Sequence, residues 1–402
     1  MKLLHTADWH LGRKLEGRDR IDEQRDVVDE ICQIAEAEDV DGILLAGDVY
    51  DAFNPPAEAE KLYYETVARL SDGGRRAVVV IAGNHDNPER LKASDPYGRA
   101  LGVITLGFPH DEPKLFDRGS GRVACIESAT SFLRLRLRND ETIGVLALPY
   151  PSESRLRKVL TAHIDDREGQ ANYNRYLHQF MTDAALNFRK DEPSLVMSHL
   201  FVAGGQETDS ERPIQVGGAY SVDTMSFPAE ASYVALGHLH RPQNFEGPNG
   251  LPIRYAGSPL QYSFSEAEQE KSVTILEFDG SECSHRTVPL RSGRQLVKRE
   301  GLKGREELDE FLDKADPEAW VTFSVLLSEA LEIGAVEEIL KQHPRILDPI
   351  FRHDVSTGEN EEKESLRALP LDEQFRRYVR SRGEEPNDEI VEMFMEIVQD
   401  EG

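Results

Sequence analysis

The stretch Ile43-Leu44-Leu45-Ala46-Gly47-Asp48-Val49-Tyr50-Asp51 decides the fold of this chain: an apolar run ends abruptly in glycine and carboxylate. A short apolar run bounded by turn residues reads as a buried strand, and here the turn after it carries Asp48. Working outward, the same event recurs four times. Residues 2–6 lead into Asp8-Trp9-His10, and residues 77–82 into Gly83-Asn84-His85-Asp86. Residues 195–198 lead into His199, and residues 233–236 into Gly237-His238-Leu239-His240. Residues 142–148 form a further candidate strand, while 20–37, 57–70 and 171–188 carry apolar side chains at helical spacing. Pro55-Pro56 suits the first turn of the second helix. Strands alternating with helices predict a layered α/β architecture with much parallel pairing.

Each fragment alone is weak, because a strand-end histidine is more often a satisfied polar residue and a Gly-Asp pair is usually a turn. Together they are not. Alternation along an extended chain would aim Asp8 and His10 the same way, with Trp9 turned into packing, and would do the same for His238 and His240. In an open α/β sheet functional residues collect beyond the carboxyl ends of strands. Five such ends bringing Asp, Asn and His side chains to one rim need compensation, and metal ions supply it. A bridging carboxylate holds two cations roughly 3.5–4 Å apart, the spacing used for in-line attack on phosphorus.

This order of Asp-x-His, Gly-Asp-x-x-Asp, Gly-Asn-His-Asp, an isolated His and Gly-His-x-His resembles the calcineurin-like metallophosphoesterase superfamily. The resemblance implies an α/β/β/α sandwich, to which the later sequence adds a small α+β capping domain and a C-terminal helix pair at 371–382 and 387–399. It implies that Asp8, His10, Asp48 and His240 bind one metal, and that Asp48, Asn84, His199 and His238 bind the other, with Asp48 bridging. His85 would sit over the substrate phosphate and stabilise or protonate the leaving oxygen. Asp51 and Asp86 are expected behind the ligands, Asp51 closing its turn and Asp86 orienting a site histidine. His5 is expected to be packed or behind a ligand.

Longer stretches narrow the family. His5-Thr6-Ala7-Asp8-Trp9-His10-Leu11-Gly12, the run from Ala46 to Asp51 with Asn54-Pro55-Pro56, and Ala235-Leu236-Gly237-His238-Leu239-His240-Arg241-Pro242 look like the SbcD nuclease subunit family. So do Tyr255-Ala256-Gly257-Ser258-Pro259-Leu260 and Ser263-Phe264-Ser265-Glu266. That resemblance implies a manganese-dependent DNA nuclease of repair and recombination, with 3′-to-5′ exonuclease action on duplex ends and endonuclease action on single strands and hairpins. It would work as a homodimer within a heterotetramer with SbcC, an ATP-hydrolysing coiled-coil protein. No Gly-x-x-x-x-Gly-Lys-Ser/Thr loop occurs, so ATP use would belong to the partner. The competing reading is a two-metal phosphatase or diesterase acting on a small or nucleotide substrate.

Three regions are expected: a nuclease domain over 1–290, a cap over 291–355, and a linker with partner-binding helices over 356–402. The cap reads as a βαβαβ unit, with strands at 295–299, 320–326 and 345–352 and helices at 306–314 and 334–342. In the last helix Ile390, Val391, Phe394, Met395 and Val398 fall at helical spacing, a stripe suited to docking in a partner's groove. Net charge is −27, so DNA binding by the free chain should be weak and salt-sensitive. Local candidates for gripping phosphate are Arg13, Lys14, Arg18 and Arg20; Arg134, Arg136 and Arg138 share a strand face that otherwise reads as a solvated amphipathic strand. The short N-terminal apolar segment, three scattered cysteines and absence of a long apolar run suit a cytoplasmic protein with no membrane contact.

Overall fold

The computed structural model describes residues 1–152, 155–156, 169–211, 221–327 and 333–353, and beyond these 375–376, 379, 387 and 390–391. In the first sheet β1 (Lys2–Thr6), β2 (Gly42–Leu45), β3 (Ala77–Ile81) and β4 (Val103–Leu106) pair in parallel. The second contains β5 (Ala124–Ala129), β6 (Phe132–Arg136), β7 (Thr142–Leu148), β8 (Ser194–His199), β9 (Tyr233–Gly237), β10 (Gln243–Glu246) and β11 (Pro252–Tyr255), in the order β10-β11-β9-β8-β7-β6-β5. Antiparallel β12 (Ser272–Asp279) and β13 (Glu282–Pro289) return to extend the first sheet, giving β13-β12-β1-β2-β3-β4. The sequence reading gave neither strand: β13 is largely exposed and carries little apolar pattern, although β12 is buried and does carry an apolar run.

Alternation along the strands builds three layers of core. Leu3, Val79 and Ile81 face Val145, Leu195, Met197 and Ala235 between the sheets. On the other side of the first sheet, Leu4, Val78 and Val80 meet α1 (Ile21–Ala37) and α2 (Ala57–Ser71) through Val27, Ile31, Leu62 and Val67. Leu146, Val196 and Val234 of the second sheet pack against Leu177, Phe180 and Met181 of α3 (Gly169–Ala185). The result is the α/β/β/α sandwich expected. Each such buried aliphatic contributes about 1.5–3 kcal/mol, so the rim stands on a rigid base.

The third sheet, β14 (Leu296–Lys303), β15 (Trp320–Leu327) and β16 (Ile350–His353), carries α4 (Gly304–Lys314) and α5 (Ile333–Gln342) in the predicted βαβαβ order. Val321, Phe323 and Val325 form its own core with Leu308 and Leu312. The opposite face starts at Leu296 and Trp320, which close on Leu15, Phe264 and Ala267 of the sandwich. Trp320 Nε1 donates to Glu23 at 3.0 Å.

The chain divides into units Met1–Arg352 and His353–Gly402. In the second, Asn387 Oδ1 accepts from Ile390 N at 3.1 Å, a helix-start arrangement. Val391 is buried and Ile390 is half exposed. The predicted linker, Phe394, Met395 and Val398 lie outside the described residues. Among the described residues no helix is long and apolar enough to cross a membrane.

Candidate metal centre

The loops after β1, β2, β3, β8 and β9 meet where the two sheets come together at one rim. Strand alternation does not aim the ligands, contrary to the sequence reading. β1 ends at Thr6, and Asp8 and His10 lie beyond it in the left-handed region (φ 54° and 43°). Asp48 has φ 48° and His238 has φ 111°. Such conformations cost about 1–3 kcal/mol each in non-glycine residues and persist where the surroundings over-determine them. Here parallel pairing continues past the strands: Asp8 N donates to Gly47 O, and His10 N to Asp48 O, both at 3.0 Å. Two glycines make the approach possible. A Cβ on Gly83 would lie 2.0 Å from Asp48 Oδ1, and one on Gly237 would lie 1.9 Å from Ala46 O.

The seven predicted ligands come together in two halves. In one, ligand atoms of Asp8, His10 and His240 lie within 4.8 Å of one another, and in the other those of Asp8, Asp48 and His199 do. His10 Nε2 and His240 Nε2 are 3.0 Å apart. Asn84 Oδ1 stands 2.9 Å from His199 Nε2 and 3.2 Å from His238 Nδ1. Asp48 joins the halves. Its Oδ2 lies 3.5 Å from His10 Nε2 and 3.4 Å from His199 Nε2, while Oδ1 accepts from His85 N at 2.9 Å.

Proton placement supports cation binding. His199 Nδ1 is 2.9 Å from Ala46 O, a carbonyl that only accepts, so Nδ1 carries hydrogen; Nε2 faces the acceptor oxygens of Asn84 and Asp48, a position that takes a proton or, in its place, a cation. His240 Nδ1 contacts Ser210 Oγ at 2.6 Å, which likewise turns Nε2 inward. Lone pairs facing one another at these distances repel unless a cation or proton sits between them, so the donor set fits metal ions. The electrostatics follow the same logic. Burial pushes His10 and His238 down to about 3, so both stay neutral and able to ligate. Burial also raises Asp8 to about 7. Burial opposes charge on Asp48 as well, but His199 and His85 hold it well below the carboxylate range. His199, disfavoured by burial but facing Asp48 and Asp8, rises to about 9.

His85 is held differently from the ligands. Its Nδ1 donates to Asp51 O at 2.7 Å, and its ring meets the His10 ring edge-on, centroids 4.7 Å apart. It also forms a compact trio with His10 and Asp51. The Asp51 carboxylate lies 3.4 Å from His10 Nδ1 and 3.4 Å from Arg13, so it stands behind a candidate ligand. Asp86 departs from expectation: its buried carboxylate accepts from the backbone N–H groups of Val49, Tyr50 and Gly83 and ties two loops together. His5 is packed, bridging Tyr233 Oη and Leu236 O.

The arginine candidates divide. Arg13 faces the centre through Asp51 and lies over the Tyr262 ring, and Lys14 and Arg18 are exposed. Arg20 does not fit a DNA-contact role, because it is buried with its guanidinium bound to Glu23 and Gln261 O. Arg134 is buried between Glu127 and Glu192; Arg136 pairs with Asp117, and Arg138 with Asp39 and Asp41. The solvated strand face is therefore a set of structural ion pairs. Sequence reasoning missed Arg155, whose guanidinium lies over Tyr150 and reaches Gly83 O at 3.4 Å, with no carboxylate partner among the described residues. It also missed Ser210, Glu211 and Lys271, which gather with Glu266 around His240.

Residues 1–242 match the calcineurin-like phosphoesterase family. Three curated relatives are named as the SbcD component of the SbcCD nuclease. The one from Bacillus subtilis is 41% identical over 403 residues, covering 99% of this chain and 97% of the relative. The Rhodobacter capsulatus protein is 36% identical, covering 72% of this chain and 69% of its own length. The Staphylococcus epidermidis protein is 33% identical, covering 75% and 72%. With the ligand loops and the sandwich in place, this chain belongs to the calcineurin-like metallophosphoesterases, in the SbcD nuclease subunit family.

Proposed function

We propose that the chain hydrolyses DNA phosphodiester bonds at two divalent cations, as the nuclease subunit of a complex with an SbcC-like ATPase. The observation that carries the reading is Asp48 Oδ2, poised between His10 of one ligand set and His199 of the other with His85 alongside. Manganese is the proposed cation, because imidazole, carboxylate and amide donors suit it better than magnesium. Bound cations supply Lewis acidity toward the phosphate and lower the pKa of water so that a nucleophile exists near neutral pH. The chain's own residues do the rest. His85, oriented by Asp51 O, turns Nε2 toward the reacting phosphate to stabilise or protonate the leaving oxygen. Arg13 and Arg155 hold flanking phosphates, with Lys14 and Arg18 further out.

The proposed activities are 3′-to-5′ exonuclease on duplex ends and endonuclease on single strands and hairpins. Residues 291–355 act as the cap and 356–402 dock the partner, within a heterotetramer built on a dimer of this chain. The names of the curated relatives support an SbcC partner. End-labelled duplex and hairpin DNA, incubated with the chain alone and with its ATPase partner, tests the reading. Cleavage with manganese and none with chelator is expected. DNA left intact under all manganese conditions, while small diesters are hydrolysed, would sink it.

A further inference from the structure

We propose that Ser210, Glu266 and Lys271 are positioning residues for His240, and that they make the half built on Asp8, His10 and His240 the tighter cation site. The inference rests on the two-cation reading above. Glu266 is fully buried, and its Oε2 lies 2.6 Å from Lys271 Nζ. The Ser210 hydroxyl has one proton and donates it to Glu266 Oε1. Its oxygen therefore accepts from His240 Nδ1–H, at 2.6 Å, and the Nε2 lone pair points at Asp8 and His10. Lys271 Nζ closes the arrangement by donating to His240 O at 2.8 Å, and Glu211 accepts from His240 N at 2.8 Å. Ring and main chain of one ligand are thus gripped from both ends.

The two halves differ in what stands behind them. His240 is backed through Ser210 by a carboxylate, and His10 has the Asp51 carboxylate 3.4 Å from its Nδ1. In the other half His199 is backed by the neutral Ala46 carbonyl. A carboxylate behind an imidazole fixes its tautomer and raises its basicity, and loss of such a partner typically weakens metal affinity about 10–100-fold. A buried Glu–Lys pair is often no more stabilising than an apolar one, so stability alone does not explain this one.

Titrating the metal-free full chain with manganese, and following free Mn²⁺ by electron paramagnetic resonance, separates the sites. Wild type is expected to take up two cations in two steps. Ser210→Ala should weaken the first step about 10–100-fold and leave the second unchanged, and Ser210→Thr should restore it. Glu266→Gln with Lys271→Met removes both charges together and should reproduce the loss. Two cations taken up by wild type, with both steps or neither shifted in these variants, overturns the inference alone. One cation or none taken up by wild type overturns the two-cation reading and the inference with it.

Discussion

At Asp48 two demands meet in one carboxylate: one oxygen fixes the His85 loop and the other faces a histidine from each half of the centre. Asp48→Ala should therefore abolish both manganese uptake and DNA cleavage. His85→Ala should keep manganese uptake while kcat falls by roughly 10²–10⁴-fold, the usual worth of a positioned general acid. An active His85→Ala enzyme would remove this residue from the chemistry. Arg155 sits beside the His85 loop, its guanidinium held by Gly83 O, Tyr150 O and the Tyr150 ring, which places a positive charge next to the proposed phosphate position. Arg155→Ala is expected to raise KM for DNA roughly 10–100-fold with little change in kcat, the worth of one charge-assisted hydrogen bond. Unchanged steady-state kinetics would contradict that assignment. Arg20→Ala, by contrast, should lower the melting temperature, since this guanidinium belongs to the packing around Glu23 and Gln261.

Among the elements, the loops that leave the strands carry the function, and their shape depends on atoms that are missing. Gly83→Ala would push a methyl group into the Asp48 carboxylate, so cation uptake should be lost while far-ultraviolet circular dichroism stays native. Gly237→Ala meets backbone across the seam between the sheets and should lower both uptake and melting temperature. Strand β6 makes the opposite point. Leu133 and Leu135 enter the inter-sheet core, and Arg134 on the other face is buried against Glu192. Removing one partner of a buried pair typically costs about 3–5 kcal/mol, so Arg134→Ala should unfold at markedly lower denaturant, with no specific effect on DNA affinity. These side chains look like a DNA-binding stripe only while their acidic partners are unknown.

For the whole molecule, pH and cations act on the same balance. Burial, aided by Arg254, pushes His5 down to about 3, whereas the unfolded chain holds it near 6.5. Between those values the unfolded state binds the extra proton. The stability that His5 contributes is therefore complete above about pH 6.5 and falls by about 1.4 kcal/mol per unit below it. In chelator, the difference in melting temperature between wild type and His5→Gln should shrink as pH is lowered from 7 to 5; a constant gap would contradict a neutral, buried His5. Added manganese should raise the melting temperature of the native chain with concentration, as for any ligand that binds only the folded state. The rise should vanish in Asp48→Ala.

The sequence by itself determined which side chains reach the rim and in what order, because strand ends are local events marked by an apolar run stopping at Gly, Asp or His. The βαβαβ unit was legible for the same reason, its strands and helices each announcing their own period. Strand β13 was not, since an exposed strand has little pattern to read, whereas its partner β12 carries a buried apolar run whose antiparallel return to the first sheet only the tertiary structure shows. What only the tertiary structure decided is how those side chains are held. The left-handed turns at Asp8, His10 and Asp48, the loop-tying role of Asp86, and the pairing of Arg20 with Gln261 and Arg134 with Glu192 are of this kind. So is the grip of Ser210, Glu266 and Lys271 on His240. The reason is physical: periodicity is written between neighbours in sequence, whereas a buried charge or imidazole is satisfied by whatever group packing brings within about 3 Å, tens to hundreds of residues away.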